Sequence, residues 1–436
     1  MPEAVVRTAR HLREDRPVSQ TSMSGADQRA DAPNWLRIVL VVFLPFASGY
    51  FLSYLYRALP SILGGRIRDD LALDAEVLGL VGAAYFLAFG AAQLPLGMML
   101  DRYGPRRCQA ALMIVAAIGA TVFGLGDNAE TLIIGRALIG LGCAGGLMAS
   151  LKAITLWFPQ ARWPLVNGCL LGLGGLGALT ATTPVEYLLG FIGWHEMFFY
   201  VAVATILSAM LIFLVVPEKP GAAAPVPFSE LVGSLRNIYS NRYFWRIAPI
   251  AILTMSTGMA IHTQWAGLWL KDVAGLGQDA VALHLQTLSI ALTAGFLMGG
   301  VVADLATRSG IPLGGVLGAG VVGLLTSQLA IALAVDPQAH WPWILLGLSS
   351  NISALAFPLL CGRFDLRLAG RVNTALNVFV FTGVFAAASA IGWIIGLYPR
   401  GANGAYAAEG YEVGLLSIIA LEVVAFVWFM IPEKRK

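Results

Sequence analysis

A few polar and ionisable residues stand alone inside long apolar runs, where burying a charge is costly unless it meets a partner or water. Arg57, in Tyr54-Leu55-Tyr56-Arg57, sets a permanent cation beside tyrosines. A guanidinium can hold a carboxylate or phosphate through two parallel hydrogen bonds. Tyr54 and Arg57 therefore read as an anion site, or, since Pro60 follows and the side chain is long, as a residue snorkelling to a surface. Lys152, in Ala149-Ser150-Leu151-Lys152, either snorkels or adds a second positive charge to such a site. Glu186 follows Thr182-Thr183-Pro184, where proline frees a backbone carbonyl and bends a helix beside the carboxylate. Desolvation makes a carboxylate hold its proton and a nearby guanidinium makes it release one. Glu186 with Arg136 as partner is thus the expected proton-coupling pair; a structural ion pair, or Arg136 at a helix C-terminus, is the alternative.

Uncharged polar residues supply the rest of an expected cavity. His262 and Gln264, in His262-Thr263-Gln264-Trp265, and Asn351, in Ser349-Ser350-Asn351-Ile352-Ser353, read as lining. A lone helical histidine is more often a hydrogen-bonded structural residue than a proton carrier. Trp265 and Trp269 line the cavity or belong to an outer aromatic belt. No familiar catalytic constellation accompanies these residues: there is no Walker A loop, no His-Glu-x-x-His and no Gly-x-Ser-x-Gly. Gly140-Leu141-Gly142-Cys143-Ala144-Gly145 spells a dinucleotide fingerprint but lacks the strand that would precede one, so its glycines read as helix-packing positions. Cys108, Cys143, Cys169 and Cys361 stand singly, without metal-site spacing. The expectation is a non-enzyme with no cofactor and no metal.

Composition says what must position these residues. The chain has 436 residues, 58% hydrophobic and only 12% charged, with mean hydropathy +0.74. Soluble domains carry about 25% charged residues, so a water-soluble core is excluded. A net charge of +3 does not suggest nucleic acid. Apolar stretches run at about 36–63, 77–100, 108–126, 131–158, 164–192 and 197–216. Six more follow a Pro/Ala-rich segment, at about 246–270, 283–305, 312–335, 341–361, 372–397 and 412–431. Each is long enough for a bilayer core of about 30 Å. The fold class expected is an all-α membrane protein of twelve transmembrane helices in two pseudo-symmetric six-helix bundles. Its parts are a disordered cytoplasmic tail (1–35), a first bundle (36–216), a cytoplasmic linker (217–245) and a second bundle (246–436).

Lys and Arg are retained on the cytoplasmic side. With the N-terminus inside, the cytoplasmic segments hold 21 of the 28 basic residues, the other side holds Arg66, Arg68, Lys271 and Arg400, and three lie within spans. Both termini are therefore expected in the cytoplasm. Short motifs recur at equivalent places in the two halves. Gly97-Met98-Met99-Leu100-Asp101 is echoed by Gly300-Val301-Val302-Ala303-Asp304, Val166-Asn167 by Val372-Asn373, and Pro217-Glu218-Lys219 by Pro432-Glu433-Lys434.

The loop Gly97-Met-Met-Leu-Asp101-Arg102-Tyr-Gly104-Pro-Arg106-Arg107 resembles the signature loop of the major facilitator superfamily. Arg136-Ala-Leu-Ile-Gly140, Trp157-Phe158-Pro159 and Gly193-Trp194-His195-Glu196-Met197-Phe198 are similar to further motifs of that family. In the loop, Gly97 is expected to permit close helix approach, Asp101 to meet a helix N-terminus or an arginine, and Arg102, Arg106 and Arg107 to grip the cytoplasmic face. The resemblance implies a secondary transporter that opens one central site alternately to each side, with this loop and Asp304 in gating roles. Organic-anion branches of the family carry an aromatic-flanked arginine in the first span, which favours the cavity for Arg57. The cargo expected is a small, anionic organic solute, taken up with protons as coupling ion by a monomer in the bilayer of a bacterial inner membrane. Proton-coupled efflux of drugs or metabolites is the alternative. It is weakened because the fifth span ends Thr183-Pro184-Val185-Glu186 rather than in the Gly-Pro-x-x-Gly-Gly element typical of drug antiporters. A receptor or enzyme on a transporter scaffold is the reading from another class.

Overall fold

The computed structural model describes residues 35–219, 228–364, 368–401 and 404–431. The expected disordered tail falls almost wholly on residues 1–34 and the Pro432-Glu433-Lys434 echo on residues 432–434, outside those described. Among the described residues every regular element is helical. Eleven helices are long and apolar enough to cross a membrane. The first five are α1 (Trp35–Leu71), α2 (Ala75–Gly124), α3 (Ala129–Trp157), α4 (Leu165–Leu189) and α5 (Trp194–Val215). A short helix, α6 (Phe228–Tyr239), occupies the expected linker. The remaining six are α7 (Arg242–Asp272), α8 (Gln278–Arg308), α9 (Leu313–Ala332), α10 (Trp341–Cys361), α11 (Gly370–Gly396) and α12 (Ala408–Met430).

The expected count of twelve crossings is met because α2 is two spans joined end to end. At 50 residues it is about 75 Å long at 1.5 Å per residue, more than twice a bilayer core. It breaks at Gly104, whose φ of 77° and ψ of 163° lie where a side chain is strained. Pro105 then restarts the helix in a position that needs no backbone donor. Elsewhere helix starts follow local capping chemistry. The Asn128 carboxamide oxygen accepts from the Thr131 amide at 3.0 Å, and that of Asn241 from the Tyr243 amide at 2.8 Å. The latter cap starts α7 at Arg242, inside the segment read from sequence as linker.

Helices of the first and second sets meet along three seams: α1 against α7, α2 against α11, and α4 against α8. Close approach within the first set uses the glycine run dismissed above as a nucleotide motif. A Cβ at Gly142 would collide with the Ala116 backbone, so α2 and α3 touch backbone to backbone there. By contrast α5 and α12 turn large apolar groups outward: Leu214 is 70% exposed and Val424 67%. Such faces are tolerable against hydrocarbon and not against water.

Candidate functional site

Three helices lose their regular hydrogen bonding at points whose residues face one cavity. In α4 the helix stops at Thr180 and resumes at Thr183, ahead of Pro184. In α7 a π-helical turn spans Ile261–Trp265. In α10 the helix gives way at Asn351 to a 3-10 turn, Ile352–Leu355. Irregular backbone at membrane depth persists where it is packed in protein or lines a polar cavity. Thr182, His262 and Asn351 all line a cavity of about 120 Å³ between the two sets of helices.

Among the described residues Arg57 is the one cation on that cavity wall, and no carboxylate lines it. The residue is only 7% exposed, so the snorkelling alternative does not describe its position. Its guanidinium carbon lies 4.7 Å from the ring centroid of Tyr54, 5.1 Å from Phe89 and 5.8 Å from Phe381. The cage draws rings from α1, α2 and α11, and so from both sets of helices. Cation–π contacts contribute about 0.5–2 kcal/mol each, but they leave the charge unneutralised. Among the described residues no acidic group pairs with Arg57, and its Nε has no hydrogen-bond partner. His262 places Nδ1 2.8 Å from the Gly258 carbonyl, and Asn351 donates to the Leu292 carbonyl at 2.6 Å.

Other expected site residues stand elsewhere. Lys152 does not reach the cavity: its Nζ pairs with Asp101 Oδ1 at 2.9 Å, at the end of the bundle that carries the linker. Asp101 therefore meets a lysine rather than the expected arginine or helix N-terminus. Gln264 is 2% exposed and donates to the Leu78 carbonyl at 2.9 Å, cementing the packing of α7 on α2. Trp265 and Trp269 are buried at 1% and 3%, off the cavity and away from any lipid-facing belt. The expected Arg136–Glu186 pair is absent. Glu186 pairs with Arg66 of α1. Arg136 donates from Nη1 to the Tyr56 carbonyl at 2.9 Å and lies over the Tyr85 ring. Pro60 explains this. Lacking an N–H, it leaves the carbonyl four residues earlier, that of Tyr56, without its helical donor, and Arg136 supplies one.

The signature loop is held at the linker end. Arg106 Nε donates to the Phe213 carbonyl at 2.8 Å and Arg107 pairs with Glu218 at 2.7 Å. Arg102 lies over Tyr103, and Asp304 pairs with Arg308 one turn on, at 2.7 Å. Gly97 has nothing within 4 Å of where a Cβ would stand, so it is not the close-approach point expected of it.

The opposite end is sealed across the two sets. Arg68 pairs with Asp272 at 2.6 Å, with side chains only 3% and 1% exposed. The Tyr411 hydroxyl donates to the same carboxylate at 2.9 Å. Lys271 pairs with Asp69 at 2.6 Å and Arg400 with Asp74 at 2.7 Å.

The sequence profile of the Major Facilitator Superfamily matches residues 46–397. The chain belongs to that superfamily. It is a membrane transporter and not an enzyme. Over 353 residues it is 24% identical to the probable sulfoacetate transporter SauU of Cupriavidus necator, covering 76% of this chain and 82% of that protein. Over 447 residues it is 20% identical to the probable galactarate/D-glucarate transporter GudP of Escherichia coli, covering 91% and 94%. The solved nucleoside transporter NupG superposes with a TM-score of 0.72 at 15% identity, over 90% of this chain and 100% of that one, a likeness of fold alone.

Several residues of this facilitator's interior escaped sequence reasoning. Phe89 and Phe381 are two among 21 phenylalanines, and nothing local marks them as partners of Arg57. Arg68 entered only the count of basic residues on the far side, and Asp272 carried no expectation. Glu422, inside the last apolar run, was legible by the criterion applied to Glu186. It is fully buried on α12, where Gln328 of α9 donates to its Oε1 at 3.3 Å.

Proposed function

We propose that this facilitator carries a small organic anion, bound at Arg57, through one cavity opened alternately to the two sides of the membrane. The observation that carries the reading is the buried guanidinium without a counter-ion on the cavity wall. A permanent cation in a low-dielectric site is stabilised strongly by an anion that brings two acceptor oxygens. The relatives' names, sulfoacetate and galactarate/D-glucarate, are those of anions. Lys152, Gln264 and Arg136 are not part of this binding set; Tyr54, Arg57, His262 and Asn351 are.

The seal from Arg68 to Asp272 closes the end away from the linker, and the excess of basic residues at the linker end supports a cytoplasmic position for that end, in a bacterial inner membrane on this reading. Asp101 with Lys152, and the loop from Gly97 to Arg107, act at the cytoplasmic gate, with Asp304 as their counterpart in the second bundle. Residues 36–216 and 246–436 are the two moving bodies and 217–245 the linker. The cavity lining comes from helices of both sets in one chain, which supports a monomer as the transporting unit. Protons drive uptake, with Glu186, paired to Arg66 and with Oε2 unpartnered, as the coupling carboxylate.

Counterflow in proteoliposomes loaded with a panel of organic acids tests the reading. Wild-type protein is expected to exchange at least one anion, and Arg57→Ala to lose at least tenfold in rate at unchanged thermal stability, the loss of a charge-assisted bond being worth about 1.5–3 kcal/mol. Arg57→Lys is expected to recover only part of it, since an ammonium lacks the planar fork. Equal exchange by wild type and Arg57→Ala rejects the anion site.

A further inference from the structure

Much of the cavity lining is poorly suited to a sugar acid. Its apolar part comprises Met255 and Met259 on α7 and Leu285, Leu288, Leu292 and Phe296 on α8. Most of the hydroxyls that border it already have an acceptor. Thr182 donates to the Leu179 carbonyl at 2.6 Å, Thr263 to Met259 at 2.7 Å, Thr293 to Ser289 at 2.8 Å and Ser350 to Leu346 at 2.6 Å, while Ser61 donates to the His262 carbonyl. A site that recognises a polyol must offer donors and acceptors to each hydroxyl it desolvates, because a polar group left unpaired on binding costs affinity. Here five of the seven lining hydroxyls already have an acceptor, and thioethers, leucines and a phenyl ring make up much of the rest of the lining. The charge balance is equally restrictive. Among the described residues one guanidinium and no other cation line the cavity, so a dianion would bring a second negative charge with no lining cation to meet it.

The geometry points to a small monoanion with an apolar body: a carboxylate or sulfonate whose head meets Arg57 and whose hydrocarbon part lies against Met255, Met259 and Leu288. This rests on the anion reading above and narrows it. It sets the chain apart from the polyhydroxylated diacids in the name of one relative. Met259 and Leu288 become the residues that set specificity, because they present thioether and methyl groups where a polyol would need hydrogen-bond partners.

The test is a comparison of binding to the full-length protein in lipid nanodiscs, by calorimetry, of four probes: butanoate, hexanoate, gluconate and hexylammonium. Hexanoate and gluconate share a carbon count and a charge and differ in hydroxylation. Expected are a hexanoate Kd lower than that of butanoate by about fourfold per methylene, gluconate at least tenfold weaker than hexanoate, and hexylammonium without binding. Met259→Gln, close to isosteric, should weaken hexanoate and leave gluconate unchanged or improved, and Arg57→Ala should weaken hexanoate at least tenfold. Gluconate binding as tightly as hexanoate, and lost in Arg57→Ala, overturns the apolar-body inference while the anion reading stands. An unchanged hexanoate-to-gluconate ratio in Met259→Gln also overturns it. Preference for hexylammonium, or no binding of either six-carbon anion, overturns the inference, and hexylammonium preference removes the anion reading with it.

Discussion

At the scale of single residues, visibility in the sequence followed the cost of a charge. Arg57 could be found because a guanidinium inside an apolar run needs a reason. What surrounds it could not, because Phe89 and Phe381 are distant in sequence and carry no local mark. Lys152 and Gln264 obeyed the same criterion and were placed wrongly, since a polar residue in a span is satisfied as well by a neighbouring carboxylate or carbonyl as by a cavity. Glu186 was visible, yet its partner turned out to be Arg66 because the Tyr56 carbonyl, freed by Pro60, captures Arg136. Glu186→Gln keeps the shape of the side chain and removes the ionisable group. Uptake driven by an inward proton gradient is expected to fall to the level seen without a gradient, while anion exchange at equal pH persists. Unchanged gradient-driven uptake assigns the proton elsewhere, with Glu422, buried on α12, as the next carboxylate to replace.

At the scale of elements, the twelve apolar runs were readable almost to their ends because length and hydropathy alone decide whether a helix spans. Two features needed coordinates. One is the helix α6 in the linker. The other is the continuity of α2 through the signature loop, which turns at a single glycine. Gly104 holds φ 77° and ψ 163°, and a residue with a Cβ there stores about 1–3 kcal/mol of strain. Gly104→Ala is expected to lower the thermal midpoint by several degrees and to slow exchange, since Arg106 and Arg107 would no longer reach Phe213 and Glu218 together. A variant with wild-type midpoint and rate would show that the turn bears no strain. The helix irregularities at Thr182, His262 and Asn351 were hinted at only by Pro184; no residue type announces a π-helical turn at Ile261–Trp265.

At the scale of the whole molecule, the repeated motifs gave the twofold organisation, while the conformational state is a matter of contacts that sequence does not record. Arg68–Asp272, Lys271–Asp69 and Arg400–Asp74 tie α1 and the turn after it to the second set of helices. Breaking a buried pair by neutralising one partner costs about 3–5 kcal/mol. Asp272→Asn should therefore raise the population open at the Arg68 end, read as faster modification by an impermeant maleimide of a cysteine placed at Ser61 in a background cleared of the four natural cysteines. An unchanged labelling rate would mean that this pair does not hold the seal.

The account stands on an anion meeting the caged guanidinium of the central cavity, and heavy-atom diffraction reads that contact directly. Crystals of the wild-type protein and of Arg57→Ala, soaked in a bromoalkanoate, should differ at one place. Expected are a bromine anomalous peak beside Met259 and Leu288 in the wild type, with carboxylate density within hydrogen-bond distance of Arg57, and neither in the variant. A peak that persists in Arg57→Ala, or carboxylate density only at the Asp101–Lys152 end, would contradict it.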